Sequence, residues 1–222
     1  MIIIGHRGAR GLAPENTIAS LKKALDHKVD EIEIDVRVTK DGVPILHHDR
    51  DLIDPNGRRH SIEKTPYKEL LEHKADLTKF TEALSVLKGT VPLNVEIKQG
   101  VSTKPILADV QKALSSGWKI SDLRFASFSY KILEEVGKAL PDAKLVVNET
   151  WSGVRAGHRA RKLKAFRISM SRLWLWSGFI KAVSRGSYPL VTYTLNNPAR
   201  ARRWAEYGLY GVITDYPDRY QK

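Results

Sequence analysis

Short apolar runs rich in β-branched residues alternate along the chain with longer stretches of helical period, the pattern of βα units around a parallel sheet. The runs predict strands at 2–4, 31–36, 43–47, 92–97, 123–127, 144–148, 165–168, 189–194 and 211–214. The helical stretches predict helices at about 17–28, 78–88, 103–116, 129–139, 151–163, 174–185 and 197–207, with Thr78, Ser129 and Asn197-Pro198 as starts. Only Arg37 to Gly42 separates the second run from the third, too short for a parallel crossover, and Lys40-Asp41-Gly42 signals a turn. Strand 43–47 therefore folds back as a hairpin and leaves eight strands for closure. The expected architecture is α/β, a TIM-type (β/α)₈ barrel with a small hairpin excursion after strand 2, forming one domain over residues 1–222. Residues 49–66, with Asp54-Pro55-Asn56-Gly57 and Thr65-Pro66, read as an irregular connection followed by a short helix. The last strand ends eight residues before the end of the sequence, so the final barrel helix is expected to be short or missing.

Charge sits in unusual places on this pattern. Strand alternation puts Glu33 and Asp35 on one face, with Ile32, Ile34 and Val36 on the other. The same rule sets Asn94, Glu96 and Lys98 against Leu93, Val95 and Ile97. In a barrel, function gathers at the C-terminal strand ends, and both polar sets fall there, as does His6-Arg7-Gly8 after the first strand. Carboxylates converging at one mouth repel unless they are protonated or bridged by a cation. A hard metal ion such as Mg²⁺ or Ca²⁺ on Glu33, Asp35 and Glu96 is the economical reading; a buried salt-bridge network with Arg7, Arg37 or Lys98 is the alternative.

The hairpin brings in a histidine. A two-residue turn at Asp41-Gly42 sets His48 opposite Asp35 on the same face, and a three-residue turn shifts the register by one. His6, at the end of the neighbouring first strand, supplies a second imidazole. Two histidines flanking a metal suit a general acid and a general base for a phosphodiester, in an order that stays open, with Arg7 and Lys98 offsetting phosphate charge. His47 is expected on the opposite face, and His27, His60, His73 and His158 are read as surface residues without carboxylate company.

Composition narrows the setting. The 42% apolar content supports a substantial core, and no apolar run approaches the roughly 18 residues of a membrane span, so a soluble protein is expected. Met1-Ile2-Ile3-Ile4-Gly5-His6 leaves no room for an export signal before the first strand, which predicts a cytoplasmic location. The absence of cysteine excludes disulfides, thiol nucleophiles and Cys-ligated zinc. The net charge of +12 favours anionic partners or a solvated basic surface, and its densest part is Arg155, Arg159, Arg161, Lys162, Lys164, Arg167 and Arg172.

Taken in order, His6-Arg7-Gly8, Pro14-Glu15-Asn16-Thr17, Glu31-Ile32-Glu33-Ile34-Asp35-Val36, Thr39-Lys40-Asp41-Gly42, His48-Asp49, Asn94-Val95-Glu96-Ile97-Lys98, Ser127-Phe128, Thr194-Leu195-Asn196 and Gly211-Val212-Ile213-Thr214-Asp215-Tyr216-Pro217 resemble the glycerophosphodiester phosphodiesterase family. The resemblance implies a TIM-type barrel that releases sn-glycerol 3-phosphate and an alcohol from a small-molecule phosphodiester. It also implies Glu33, Asp35 and Glu96 as metal ligands, His6 and His48 as the acid–base pair, and Arg7 and Lys98 as phosphate contacts. Glu15 and Asn16 match a loop beside the family's site, although Asn16 or Thr17 also suits a helix cap.

Residues 149–188 match the family poorly, Tyr193 stands where tryptophan is usual, and the insertion after His48-Asp49 is short. Leu173-Trp174-Leu175-Trp176-Ser177-Gly178-Phe179-Ile180 is apolar on nearly every side, suiting either a rim in peripheral contact with anionic lipid, which would favour a lysophospholipase D-like action on lysophospholipids over small deacylated diesters, or a helix packed on the core. Two alternatives remain beside hydrolysis by water. One is attack by a substrate hydroxyl to give a cyclic phosphate, and the other a non-catalytic basic barrel binding lipid or polynucleotide. No nucleic-acid recognition motif is present and no nucleic-acid partner is expected; the sequence defines no oligomeric state.

Overall fold

The computed structural model describes residues 1–186 and 188–221. Eight parallel strands close on themselves: β1 (Ile2–Gly5), β2 (Glu31–Val38), β6 (Leu93–Ile97), β7 (Leu123–Ser127), β8 (Lys144–Glu149), β9 (Arg167–Ser171), β10 (Leu190–Tyr193) and β11 (Gly211–Thr214). β1 pairs with both β2 and β11, which completes the barrel. Around it lie α1 (Ile18–Asp26), α3 (Phe80–Leu87), α4 (Thr103–Ser115), α5 (Tyr130–Ala139), α6 (Gly153–Leu163), α7 (Ser177–Ser184) and α8 (Pro198–Ala205). Among the described residues a 3₁₀ turn, Pro217–Tyr220, and no further helix follows β11, in line with the expected short or missing final helix.

The helix starts follow from local chemistry. Ser129 accepts a bond from Ile132 N, and Asn197 accepts one from Arg200 N with Pro198 as the first helical residue. Thr17 caps α1 through a reciprocal pair with Ser20. β9 begins two residues later than the apolar run suggests, because Arg167 is an inward-facing barrel residue.

Strand alternation divides the interior as predicted. Ile32, Ile34 and Val36 pack outward under the helices in the main core, whereas Ile4, Val191 and Ile213 form a small apolar layer inside the barrel. Full burial of each such aliphatic side chain is worth about 1.5–3 kcal/mol. At the N-terminal strand ends the interior is ionic. Glu31 accepts from Arg167 Nη1 at 2.9 Å, pairs with Arg167 Nη2 as well, and lies 3.1 Å from Arg124 Nε.

β3 (Pro44–Leu46) runs antiparallel on β2, outside the closed ring. Its register corrects the two-residue turn. Leu46 stands opposite Val36, so the loop is Lys40, Asp41 and Gly42, the last at φ 79°. The reason is local. Thr39 Oγ1 accepts from Val43 N at 3.0 Å and bonds Asp41 Oδ1, which also accepts from Tyr67 N at 3.0 Å. Beyond β3 the connection expected to be irregular holds a two-stranded sheet, β4 (Asp51–Ile53) with β5 (Arg59–Ser61), before α2 (Tyr67–His73). This excursion has its own apolar cluster of Ile45, Leu52, Ile62, Tyr67, Leu70 and Leu77.

Candidate active site

The C-terminal strand ends enclose a cavity of about 230 Å³ lined by His6, Arg7, Glu33, Asp35, His48, Asn94, Glu96 and Lys98, together with Phe128, Asn148, Tyr193 and Thr194. All seven residues singled out from the sequence meet there. In the parallel register Asp35 lies beside Glu96 and Glu33 beside Asn94, so alternation on two adjacent strands presents the carboxylates at one level.

Each acidic group is held in place. Arg7 N donates to Glu33 Oε2 at 2.9 Å, and Asn16 grips Asp35 from both sides, accepting from its backbone N–H at 3.1 Å and donating to Oδ2 at 3.0 Å. Asn148 Nδ2 donates to Glu96 Oε2 at 2.8 Å. Lys98 Nζ lies 2.6 Å from Asp35 Oδ1 and also bonds Glu96, and Arg7 Nε is 3.0 Å from Asp35 Oδ2. The loop that delivers Arg7 fits against α1. Gly8, at φ +83°, leaves no space for a side chain, since a Cβ would lie 2.5 Å from Ser20 Oγ.

The cations do not balance the acids. Arg7 is shared between Asp35 and Glu15, the latter at 2.6 Å, and Arg37 points away, with Nε donating to the His48 carbonyl at 3.0 Å. Glu33 has no side-chain cation partner among the described residues. Its carboxyl is pushed well above the usual range by burial and by the neighbouring Asp35 and Glu96. Burial raises Glu96 too, against the opposing pull of Lys98. For Asp35 burial works upward, but Lys98, Arg7 and His48 outweigh it and hold the carboxyl far down. The oxygens of Glu33, Asp35 and Glu96 lie within 4.8 Å of one another, and the buried Asn94 Oδ1 on the same cavity has no hydrogen-bond partner. This oxygen-rich, under-neutralised set fits a hard divalent cation better than a closed salt-bridge network.

The histidines stand on opposite elements of the mouth. His6 Nδ1 lies 2.6 Å from Asp215 Oδ1, whose other oxygen accepts from Asn196 Nδ2 at 2.8 Å. That contact fixes the ring and leaves Nε2 as its second nitrogen for chemistry. Burial lowers the His6 pKa despite the Asp215 bond. His48 is also lowered, first by burial and then by Lys98 and Arg7 against the pull of Asp35; its side chain is 38% exposed, and Nδ1 bonds Asp49 at 2.8 Å. His48 reaches the cavity by a different route from the expected pairing. It is His47 N that bonds Asp35 O, at 3.1 Å, and the chain leaves the pleat after Leu46, which turns His48 inward. His47 stays outside the cavity with Nδ1 near Asp49 O.

Three further residues carry weight that the strand pattern left unassigned. Asp215, Asn148 and Asn16 orient His6, Glu96 and Asp35. The alternation that singled out Glu33 also applies to Asn148, which shares the inner face with Val146. Asn16 and Thr17 divide the two roles left open for them, since Thr17 caps α1 while Asn16 serves the site.

A second acidic–histidine group corrects the reading of His60 and His73 as surface residues without acidic company. His60 Nε2 is 3.2 Å and His73 Nδ1 4.0 Å from the buried Asp54. The two rings stack at 3.6 Å with 20° between their planes, so a single ion cannot lie in both ring planes. Asp54 Oδ1 instead accepts from Asn56 N and Arg58 N and shapes the β4–β5 turn.

The closed barrel and the acidic, histidine-flanked cavity at its C-terminal mouth define an enzyme of the TIM-barrel class, with a centre suited to phosphoryl chemistry. The model of the glycerophosphoryl diester phosphodiesterase family matches residues 6–219, and the chain belongs to that family. It is 25% identical over 230 residues to a glycerophosphodiester phosphodiesterase of Caldanaerobacter subterraneus, covering 98% of this chain and 95% of that protein. It is 27% identical to a Bacillus subtilis glycerophosphodiester phosphodiesterase, covering 100% of this chain and 86% of that protein. Among solved structures, an Oleispira antarctica phosphodiesterase in complex with the product sn-glycerol-3-phosphate superposes with a TM-score of 0.87 at 27% identity, covering 100% of this chain and 95% of that one.

Proposed function

We propose that this chain, acting as one domain over residues 1–222, hydrolyses glycerophosphodiesters to sn-glycerol 3-phosphate and an alcohol with a divalent metal, Mg²⁺ or Ca²⁺. The observation that carries the proposal is the buried, under-neutralised set of Glu33, Asp35 and Glu96 between His6 and His48. The product bound in the Oleispira antarctica relative supports the same substrate class. In this reading Glu33, Asp35 and Glu96 hold the ion, which supplies Lewis-acid offset of phosphoryl charge. Arg7 and Lys98 bind the phosphate oxygens and orient the diester at the cavity floor. One histidine takes a proton from the attacking water and the other gives one to the leaving alkoxide, so water is split between the two products and no further reactant is needed. Asp215 holds His6 in register for its transfer. No helix among the described residues is long and apolar enough to cross a membrane, and a cytoplasmic setting belongs to the proposal, checked by fractionation.

The test is release of glycerol 3-phosphate from glycerophosphocholine and glycerophosphoethanolamine, with Mg²⁺ or Ca²⁺ and with chelator, for the native chain, His6→Ala and Glu33→Ala. Turnover is expected only for the native chain with metal. Turnover unchanged by thorough metal removal would overturn the mechanism.

A further inference from the structure

The loops after β8 and β9 carry side chains that the hydrolytic site does not use. Among the described residues, eight large hydrophobics are exposed, and five of them fall here: Trp151, Leu173, Trp174 and Trp176 in these two loops and Val154 in the first turn of α6. Trp151 is 62%, Leu173 74% and Trp176 65% exposed. The two loops adjoin, because Gly153 at the start of α6 sits against the ring of Phe179 on α7, where an added Cβ would lie 2.4 Å from it. Apolar side chains gathered this way on a water-facing rim mark a contact surface.

The rim is continuous with the catalytic cavity. Tyr193, which lines that cavity, donates its hydroxyl to Glu149 O at 2.9 Å, at the base of the loop bearing Trp151. Arg172 and Leu173 line a cleft of about 560 Å³ with Tyr193, Thr194 and Asp215, so the site opens along the apolar side chains. The electrostatics point the same way. From Thr150 to Ala205 the chain has no Asp or Glu and twelve Arg or Lys, one of which, Arg167, is buried on Glu31 at the other end of the barrel. Arg172 and Arg200 are exposed among them, whereas Arg155 is exposed but neutralised by two bonds of 2.6 Å to Glu149.

We propose that this rim docks on an anionic phospholipid bilayer and that, on the hydrolytic reading above, the enzyme takes monoacyl glycerophosphodiesters from that surface. Indole rings favour the boundary between headgroups and acyl chains, and arginines beside them meet the anionic headgroups. Val154 and Leu173 separate this from a polynucleotide surface, since aliphatic side chains neither stack on bases nor neutralise phosphates. Held there, the acyl chain stays in the lipid while the headgroup diester reaches the cleft that leads to His6.

Co-sedimentation is the test, with vesicles of phosphatidylcholine alone and of phosphatidylcholine mixed equally with phosphatidylglycerol, for the native chain, W151S/W174S and Arg172→Glu. The native chain is expected to bind the mixed vesicles, more weakly as salt rises. The tryptophan variant should lose at least about tenfold in binding, and Arg172→Glu more than the about fivefold of one lost charge. The tryptophan variant, whose substituted side chains line neither the cleft nor the catalytic cavity, should retain turnover of soluble glycerophosphocholine while losing turnover of lysophosphatidylglycerol in mixed vesicles. Equal binding by native chain and variants, or none by the native chain to either vesicle, overturns the docking proposal. So does a tryptophan variant that changes only the mass in light scattering, which makes the patch a contact between copies, or only the binding of single-stranded DNA. If vesicle binding follows the prediction but no diester is turned over, the docking stands and the hydrolytic reading falls.

Discussion

Two charged layers lie inside one barrel, and β2 contributes to both from a single face. Glu31, at the N-terminal end, is met by two arginines, while Asp35 and Glu96 take Arg7 and Lys98 between them and Glu33 has no side-chain cation among the described residues. The lower layer is closed. Arg167 is 1% and Glu31 2% exposed, and the ring of Phe166 lies 5.9 Å from both guanidinium groups. The upper layer borders a cavity and leaves acid in excess. The same residue type thus serves as a strut where cations outnumber it and as a candidate ligand where they do not.

If that division is right, the layers separate under mutation. The largest effect is expected at the mouth. His6→Ala and His48→Ala should each lower kcat by about 10²–10⁴ with little change in unfolding midpoint, measured by turnover and urea titration. Arg167→Ala should do the reverse, costing about 3–5 kcal/mol of stability as a buried partner is lost, with turnover per folded molecule retained. An Arg167→Ala protein that is fully folded yet inactive would erase the distinction.

Smaller effects sharpen it. Asn16→Ala should raise the metal concentration for half-maximal activity by about 10–100-fold, the usual cost of losing a group that orients a ligand. Glu33→Gln should abolish turnover yet raise the melting temperature in chelator at neutral pH by about 2–4 °C, the shift that about 1 kcal/mol produces in a chain of this size. The sign follows from linkage. The Glu33 carboxyl is raised by burial and by Asp35 and Glu96, so its contribution to stability is full below its unfolded value and is lost as pH rises through the folded one. The gap between Glu33→Gln and the native chain in chelator should therefore close on acidification towards the ordinary carboxylate range, read by thermal scans across pH.

Local rules carried the barrel and most of the site. Period-2 alternation on β2 and β6 was enough to bring Glu33, Asp35, Glu96 and Lys98 together, because neighbouring parallel strands with matched register need no further information. What escaped depends on side-chain contacts that periodicity does not encode. The hairpin register turned on Thr39 and Asp41, and the two-stranded β4–β5 sheet hung on Asp54 accepting from its own turn. Glu31 shares the parity of Glu33, but its partner Arg167 lies 136 residues along the chain and sits in a stretch that reads simply as basic.

The excursion between β3 and α3 keeps an apolar cluster of its own, separate from the main core. In evolutionary terms it is a detachable cassette. The strand ring closes without β4 and β5, so changes of length between Arg50 and Lys74 need not reopen it, provided the flanking His48 and Asp49 keep their place. Length and sequence can drift in this one segment while the strand ends that carry Glu33, Asp35 and Glu96 keep their register.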